Sequence, residues 1–165
     1  VPDCVKDVLG QLDVLSLEIQ RMPKTYGRRF AALPANPYLS VATIGTPDMP
    51  PLRLWWKTDA DGRQAYWHEA MHREGESPAD LGAAECESIV AAHLDSPSML
   101  ALIALQDYLA MDASLRHPQP EAEQINDPAN PDQHWTYRMH LTIEQLAAAT
   151  DFNEKLRALI EKSGR

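Results

Sequence analysis

The stretch that decides the fold lies at residues 38–56 and reads YLSVATIGTPDMPPLRLWW. Its first half, residues 38–44, is rich in β-branched and aromatic residues and ends at Gly45, which predicts a short buried strand. Asp48 follows in a loop, and the prolines at 50 and 51 suit the first turn of a helix, where a missing N–H costs little. A carboxylate just after a buried strand is typical of the catalytic end of an α/β barrel.

The sequence before this stretch predicts a helix, a strand and a long loop. Residues 5–12 carry apolar side chains at helical spacing, and residues 14–19 alternate apolar and polar side chains as a strand does. Residues 21–37 are basic and contain prolines, which favours a loop between two strands. Loops of this length are usually functional or mobile.

The sequence after the stretch is predicted to be rich in helix. The helix near Leu52 is expected to end at the DADG turn of residues 59–62. Residues 96–112 fit either a buried strand or a buried helix, because their apolar run shows no decisive period. A polar, proline-bearing loop is expected at residues 116–134. The remaining helices are predicted at residues 63–73, 78–94 and, in two parts, 142–162, where Asp151 is expected to cap the second part.

Composition narrows the class of partner. The 165 residues are 44% apolar, which is enough to bury a core, and they carry a formal net charge of -9. This charge argues against nucleic acid or an anionic membrane as a partner, whereas a neutral sugar or peptide is compatible. Cys4 and Cys86 form no framework pattern, which indicates a reducing compartment. No stretch is long and apolar enough to span a bilayer. Because the chain begins at Val1, we expect it to be part of a longer protein.

One short motif suggests a metal site. His68-Glu69-Ala70-Met71-His72 matches HExxH, which on a helix places two imidazoles one turn apart for zinc, with the glutamate as general base. Pro78 stands where the longer version of this motif needs a third histidine. The other interpretation is a solvent-facing helix that carries two titratable residues. A zinc hydrolase is therefore kept only as a distant alternative, and no metal or cofactor is expected.

A set of sequence blocks carries a resemblance to one family. In chain order they are VPDCV (1–5), LSLEIQRMPK (15–24), PYLSVATIGTPDM (37–49), LRLWW (52–56), GESP (75–78), LQDYLAMD (105–112), INDPANP (125–131) and YRMHLT (137–142). The chain thereby resembles the 4-alpha-glucanotransferases, also called amylomaltases or disproportionating enzymes. The resemblance implies an α/β fold, the C-terminal part of a (β/α)8 TIM-type barrel with about three parallel strands. Residues 99–107 resemble its last strand.

The resemblance also implies the organisation of the chain. Residues 1–165 would form the C-terminal part of the catalytic barrel, with a helical insertion at about residues 63–95 and a helical tail at about 142–163. The activity implied is transfer of α-1,4-glucan segments between maltodextrins by a retaining mechanism. Three strands of a barrel would leave an open edge and an uncovered inner face, so we also expect self-association.

Site residues follow from the matched blocks. Asp48 matches a family carboxylate that stabilises the oxocarbenium-like transition state, and the candidate substrate-binding residues are Thr46, Gln106, Asp107 and Asn126. The other interpretation is that Asp48 only caps the following helix and that Asn126 bonds its own backbone. The paired tryptophans after Asp48 could stack on a sugar, although core packing is the favoured interpretation.

The chain also departs from the family pattern. The family's nucleophile Asp and acid/base Glu precede the residues that match Val1, so the chain alone is expected to be inactive. The family sequence Thr-His-Asp is replaced by Thr46-Pro47-Asp48, which removes an imidazole donor. A helix-rich, non-catalytic module that binds glucan or protein is therefore the alternative function.

Overall fold

Three parallel strands form a single sheet. The computed structural model describes residues 4–132 and 135–165. The strands are β1 (Ser16–Ile19), β2 (Ser40–Thr43) and β3 (Leu100–Ala101), in the order β1-β2-β3. Leu17 pairs with Val41, and Val41 pairs with Leu100. Because all three strands run in the same direction, their carboxyl ends meet at one edge of the sheet.

Helices make up most of the remaining regular structure. In chain order they are α1 (Val5–Gln11), α2 (Leu52–Thr58), α3 (Ala60–Glu69), α4 (Ala83–Leu94), α5 (Leu105–Leu109), α6 (Ile143–Ala148) and α7 (Thr150–Lys162). Single 3-10 turns lie at Leu33–Ala35 and Pro120–Glu123. In the part of the chain that the structure describes, no helix has the length and apolarity needed to cross a membrane.

The helices cover one face of the sheet and form the core with it. Ala42 of β2 is fully buried on this face, which α4 contacts, and Ile44 just beyond the strand joins the core. Trp56 is fully buried at the centre, and its indole N–H donates to the Pro78 carbonyl at 2.8 Å. Trp55 packs edge-to-face against Trp56. Core packing is thus the role of the paired tryptophans.

The opposite face of the sheet is open. Leu17 and Leu100, which flank Val41 in register, are 46% and 43% exposed. Leu102, just beyond β3, is 61% exposed. Side chains alternate between the two faces of a strand, so the odd-numbered residues of β2 share this side. We call Leu17, Val41, Leu100 and Leu102 the open-face row.

The segment at residues 96–112 differs from the strand that the resemblance implied for residues 99–107. Strand β3 has only two residues, and helix α5 begins at Leu105. Gln106 and Asp107 therefore lie in the first turn of a helix and not at the exit of a strand. The reason lies in the spacing, because Leu105, Tyr108 and Leu109 share one helical face when they recur at i, i+3 and i+4.

Three helix boundaries also differ from the prediction. The DADG segment does not form a turn that separates helices, because Asp59 alone lies between α2 and α3 and its carboxylate caps α3 by accepting from the Gly62 N–H at 2.8 Å. Asp151 is not a cap but lies inside the first turn of α7. The capping box of the tail is at Thr142, which starts α6. Helix α4 begins at Ala83, later than the predicted residue 78.

Candidate functional site

A tight turn at the carboxyl end of β2 presents Asp48. The Met49 N–H donates to the Thr46 carbonyl at 3.0 Å and closes the turn. Pro47 occupies the second position, where the fixed φ of proline is favoured in common turns. Asp48 is exposed at the third position. The local sequence thus projects a carboxylate from the edge of the sheet at which parallel α/β proteins carry their chemistry.

Asn126 reaches this turn from a distant part of the chain. Its side-chain amide donates to Asp48 Oδ1 at 2.7 Å, and its backbone N–H donates to the Pro47 carbonyl at 3.2 Å. Two residues predicted for the site are thereby joined across 78 positions of sequence. The interpretation of Asp48 as a helix cap is wrong, since the N-cap residue of α2 is Pro51. The Asn126 side chain bonds Asp48 and does not bond its own backbone.

A small cleft lies beside this turn, between the loops that follow the three strands. Its volume is about 60 Å³. Ligand pockets that enclose a small molecule are about 300 Å³ or larger, so this cleft can hold only part of one. Its lining includes Thr46, Gln106 and Asp107 from the predicted set, together with Arg21, Pro47 and Ile125.

Gln106 and Asp107 form the inner wall of the cleft and are almost fully buried, at 5% and 4% exposure. The Gln106 side-chain amide donates to the Glu123 carbonyl at 3.3 Å. Asp107 Oδ1 accepts from the Leu52 N–H at 3.3 Å and so satisfies the start of α2. Burial raises the pKa of Asp107 to about 6, although the Arg21 charge and the Leu52 N–H oppose this rise.

Arg21 is a cleft residue that the sequence interpretation did not single out. Its guanidinium donates to the Ile44 carbonyl at 3.2 Å and to the Pro50 carbonyl at 3.1 Å, which ties the end of β2 to the start of α2. It also lies over the Trp55 ring, 5.0 Å from the centroid. Burial lowers the pKa of Arg21, and the Asp107 charge opposes this. The available signal was its position two residues beyond β1, at the carboxyl edge of the sheet.

Arg53 and Glu123 were also missed. They form an ion pair of 3.3 Å between α2 and the 3-10 turn at Pro120–Glu123. Burial raises the pKa of the Glu123 carboxyl, which the Arg53 charge opposes. Their sequence positions gave no sign of this pairing, because the two residues are 70 positions apart and Glu123 lies outside every matched block.

The HExxH segment does not have the geometry of a zinc site. Helix α3 ends at Glu69, and His72 lies beyond it with a φ of 54°. The His68 ring is engaged by protein groups, with Nδ1 2.8 Å from the Arg73 carbonyl and Nε2 against the Gln64 amide. Among residues 4–132 and 135–165, no group of three or more His, Cys, Asp or Glu side chains is placed to hold a metal ion. The two imidazoles are therefore not presented on one helical face.

Comparison with solved structures supports the fold. Amylomaltase from Streptococcus agalactiae in complex with acarbose superimposes with a TM-score of 0.71 at 17% sequence identity, and the match covers 100% of this chain and 30% of the amylomaltase chain. The three parallel strands are thus those of an α/β, TIM-type barrel, as the sequence predicted.

Comparison with sequences gives the family. A 4-alpha-glucanotransferase, DPE2, from Oryza sativa subsp. japonica is 32% identical over 165 residues, which cover 100% of this chain and 17% of the rice protein. A 4-alpha-glucanotransferase from Chlamydia muridarum is 28% identical over 96% of this chain and 30% of its own length. The chain thus spans less than a third of these relatives. Residues 1–143 match the model of glycoside hydrolase family 77, 4-alpha-glucanotransferase, and the chain belongs to that family.

Proposed function

We propose that this chain forms one wall of a site that transfers α-1,4-glucan segments between maltodextrins by a retaining mechanism. The observation that carries the proposal is the contact between Asp48 and Asn126 at the carboxyl edge of a barrel sheet. The family and the names of the relatives support the same activity. The cleft is too small to enclose a sugar ring, which fits a wall that needs further residues to complete the site.

In this proposal Asp48 stabilises the transition state. Asn126 holds Oδ1, so that Oδ2 is oriented to accept a hydroxyl of the sugar. An ionised carboxylate accepts such bonds more strongly as positive charge develops on the sugar ring. Thr46, Gln106 and Asp107 line the adjoining cleft, where they contact a substituent of the same sugar.

The proposal assigns the two principal carboxylates to residues outside this 165-residue chain. A retaining transfer needs a nucleophile and a separate acid/base, and one carboxylate cannot serve as both. We therefore expect the chain alone to bind glucan weakly and to transfer none. The protein acts in the cytoplasm, where maltodextrins are metabolised and thiols such as Cys4 and Cys86 remain reduced.

The test compares the chain with a longer protein that contains it. The 165-residue chain should produce neither glucose nor longer glucans from maltotriose, whereas the longer protein should produce both. In the longer protein Asp48→Asn should lower kcat about 100-fold or more, as for loss of one transition-state stabilising group. Asp80→Asn replaces an exposed carboxylate away from the cleft and is the matched control. Unchanged transfer by Asp48→Asn would exclude the assigned role.

The alternative is a non-catalytic glucan-binding module. It is favoured by the Gln106 and Asp107 side chains, which are buried and bonded to protein groups and so are not placed to act on a reacting bond. In that case the longer protein would bind maltotriose without transferring glucose units.

We also propose that the isolated chain self-associates through the open-face row. Leu17, Leu100 and Leu102 expose apolar surface on one side of the sheet, and β1 and β3 are its edges. Unpaired edges and contiguous apolar patches favour contact with another copy.

A further inference from the structure

The segment that carries Asn126 has little regular structure of its own. Between Asp112 and residue 132 the only repeating element among the described residues is the 3-10 turn at Pro120–Glu123. Yet Asn126 must lie within hydrogen-bonding distance of Asp48, which belongs to a different part of the chain. Contacts to other elements must therefore hold the segment in place.

Arg53 of α2 supplies the central contacts. Its Nη1 donates to the His117 carbonyl at 2.7 Å and to Glu123 Oε2 at 3.3 Å. The Arg53 side chain is 10% exposed and that of Glu123 is 2% exposed. The second carboxylate oxygen of Glu123 is buried and has no hydrogen-bond partner among the described residues. Removal of one partner from a buried ion pair is costly, because the other charge is then left unpaired.

The same helix is joined directly to the Asp48 turn. Helix α2 begins four residues after Asp48, and Arg53 lies in its first turn. At the other end, Asn126 follows Glu123 by three residues. One rigid helix thus contacts both parts of the site, and Arg53 is the link between them. We propose that Arg53, acting through Glu123 and the His117 carbonyl, is a positioning residue that places the Asn126 amide on Asp48.

A second ion pair joins the same two elements and serves as a matched control. Lys57 Nζ lies 2.6 Å from Glu121 Oε1, between α2 and the same 3-10 turn. Both side chains are about half exposed, at 49% and 52%. Solvent-exposed pairs contribute little, so this pair should not position the segment. The comparison separates a specific role of Arg53 from a general effect of charges on this helix.

The experiment uses NMR of the 165-residue chain. In the wild type, the Asn126 side-chain amide resonance should be displaced from that of a free Asn amide, because it donates a hydrogen bond to Asp48 Oδ1. The Asn126 backbone amide, bonded to the Pro47 carbonyl, should exchange slowly. In Arg53→Met both signatures should be lost, with amide exchange about tenfold faster or more. Arg53→Lys keeps the charge and should restore part of the protection.

Further variants keep the test decisive. Glu123→Gln preserves the shape of the side chain and removes its charge, so it should weaken the same two signatures. It provides the test if Arg53→Met fails to fold. The Trp56 indole N–H, bonded to Pro78, reports whether the core is intact. Lys57→Met and Glu121→Gln should leave Asn126 unchanged. The positioning role is excluded if Glu123→Gln keeps the wild-type Asn126 signatures, or if Lys57→Met disturbs them as much.

A contribution of Arg53 to glucan transfer rests on the proposed function. A separate measurement tests whether the site binds glucan. Maltotriose is added to the wild-type chain, and the Asp48 and Asn126 resonances are followed. Resonances that do not move at millimolar maltotriose would count against the glucan site. The coupling of Asn126 to Asp48 would still test the positioning role, so the two failures are distinguishable.

Discussion

The two faces of the sheet differ sharply in what covers them. On one face Ala42 is completely buried beneath the helices, whereas on the other the in-register neighbours Leu17 and Leu100 are nearly half exposed. The two edge strands thus expose leucines on one face, whereas the central strand buries Ala42 on the other. The covered face accounts for the stability of the chain, and the open face is available for contact. The candidate site lies at the edge where the two faces meet.

Truncation of one side chain on each face tests whether the two faces contribute differently to the free energy of unfolding. It gives the largest expected effect. Trp56→Ala removes the fully buried centre of the core and should lower the free energy of unfolding by about 3–5 kcal/mol. Leu17→Ala, on the open face, should cost less than about 1 kcal/mol, because much of this side chain is already in water. Urea unfolding measures both. Equal losses would show that the open face is not open in solution.

The pH dependence of the free energy of unfolding tests the burial of Asp107 at the carboxyl edge of the sheet. The pKa of Asp107 is raised from 3.8 to about 6, so the folded state binds this proton more tightly than the unfolded chain. The stabilisation from that proton is present below about pH 4 and is lost as the pH rises through 6. It amounts to about 3 kcal/mol, at 1.36 kcal/mol for each pKa unit.

The matching variant is Asp107→Asn, which resembles the protonated acid. It should unfold like the wild type near pH 4 and should be more stable than the wild type at pH 7. The difference between the two proteins isolates Asp107 from other titrating groups, including Glu123. A constant difference between pH 4 and pH 7 would contradict the raised pKa.

Self-association tests whether the open face contacts other copies of the chain, and it gives the smallest of the expected effects. Leu17→Lys combined with Leu100→Lys places two charges in the open-face row and should weaken self-association about tenfold or more, because like charges repel and apolar contact is lost. Sedimentation velocity at micromolar concentrations measures this. Ala84→Lys, at an exposed position of α4, is a control on the covered side. A wild-type chain that remains monomeric would exclude the proposed association.

Much of the fold was predictable because the relevant signals are local. The helical spacing of residues 5–12 and the alternation of residues 14–19 predicted α1 and β1, which the structure contains. The continuous apolar run at residues 96–112 was different, because its length fits a strand and a helix in succession. The junction at Asp59 was misjudged because an aspartate that often marks a turn also caps a helix.

The site was predictable only in part. Asp48 and Asn126 were named from sequence blocks, but their contact depends on the folded path of the chain. Arg21, Arg53 and Glu123 escaped notice because charged residues are usually solvent-exposed, and only tertiary structure shows which of them are paired in the interior. The structure therefore adds these buried charged residues to the site that the sequence blocks indicated.

The prolines around Asp48 have one more consequence. Pro47, Pro50 and Pro51 fix their own φ angles, and they restrict Thr46 and Met49 to extended conformations. The unfolded chain consequently samples few conformations here, and ordering the turn costs less entropy than an ordinary loop would. A ligand that contacts Asp48 would meet a carboxylate whose backbone is already set, so little of the binding free energy would be spent on arranging it.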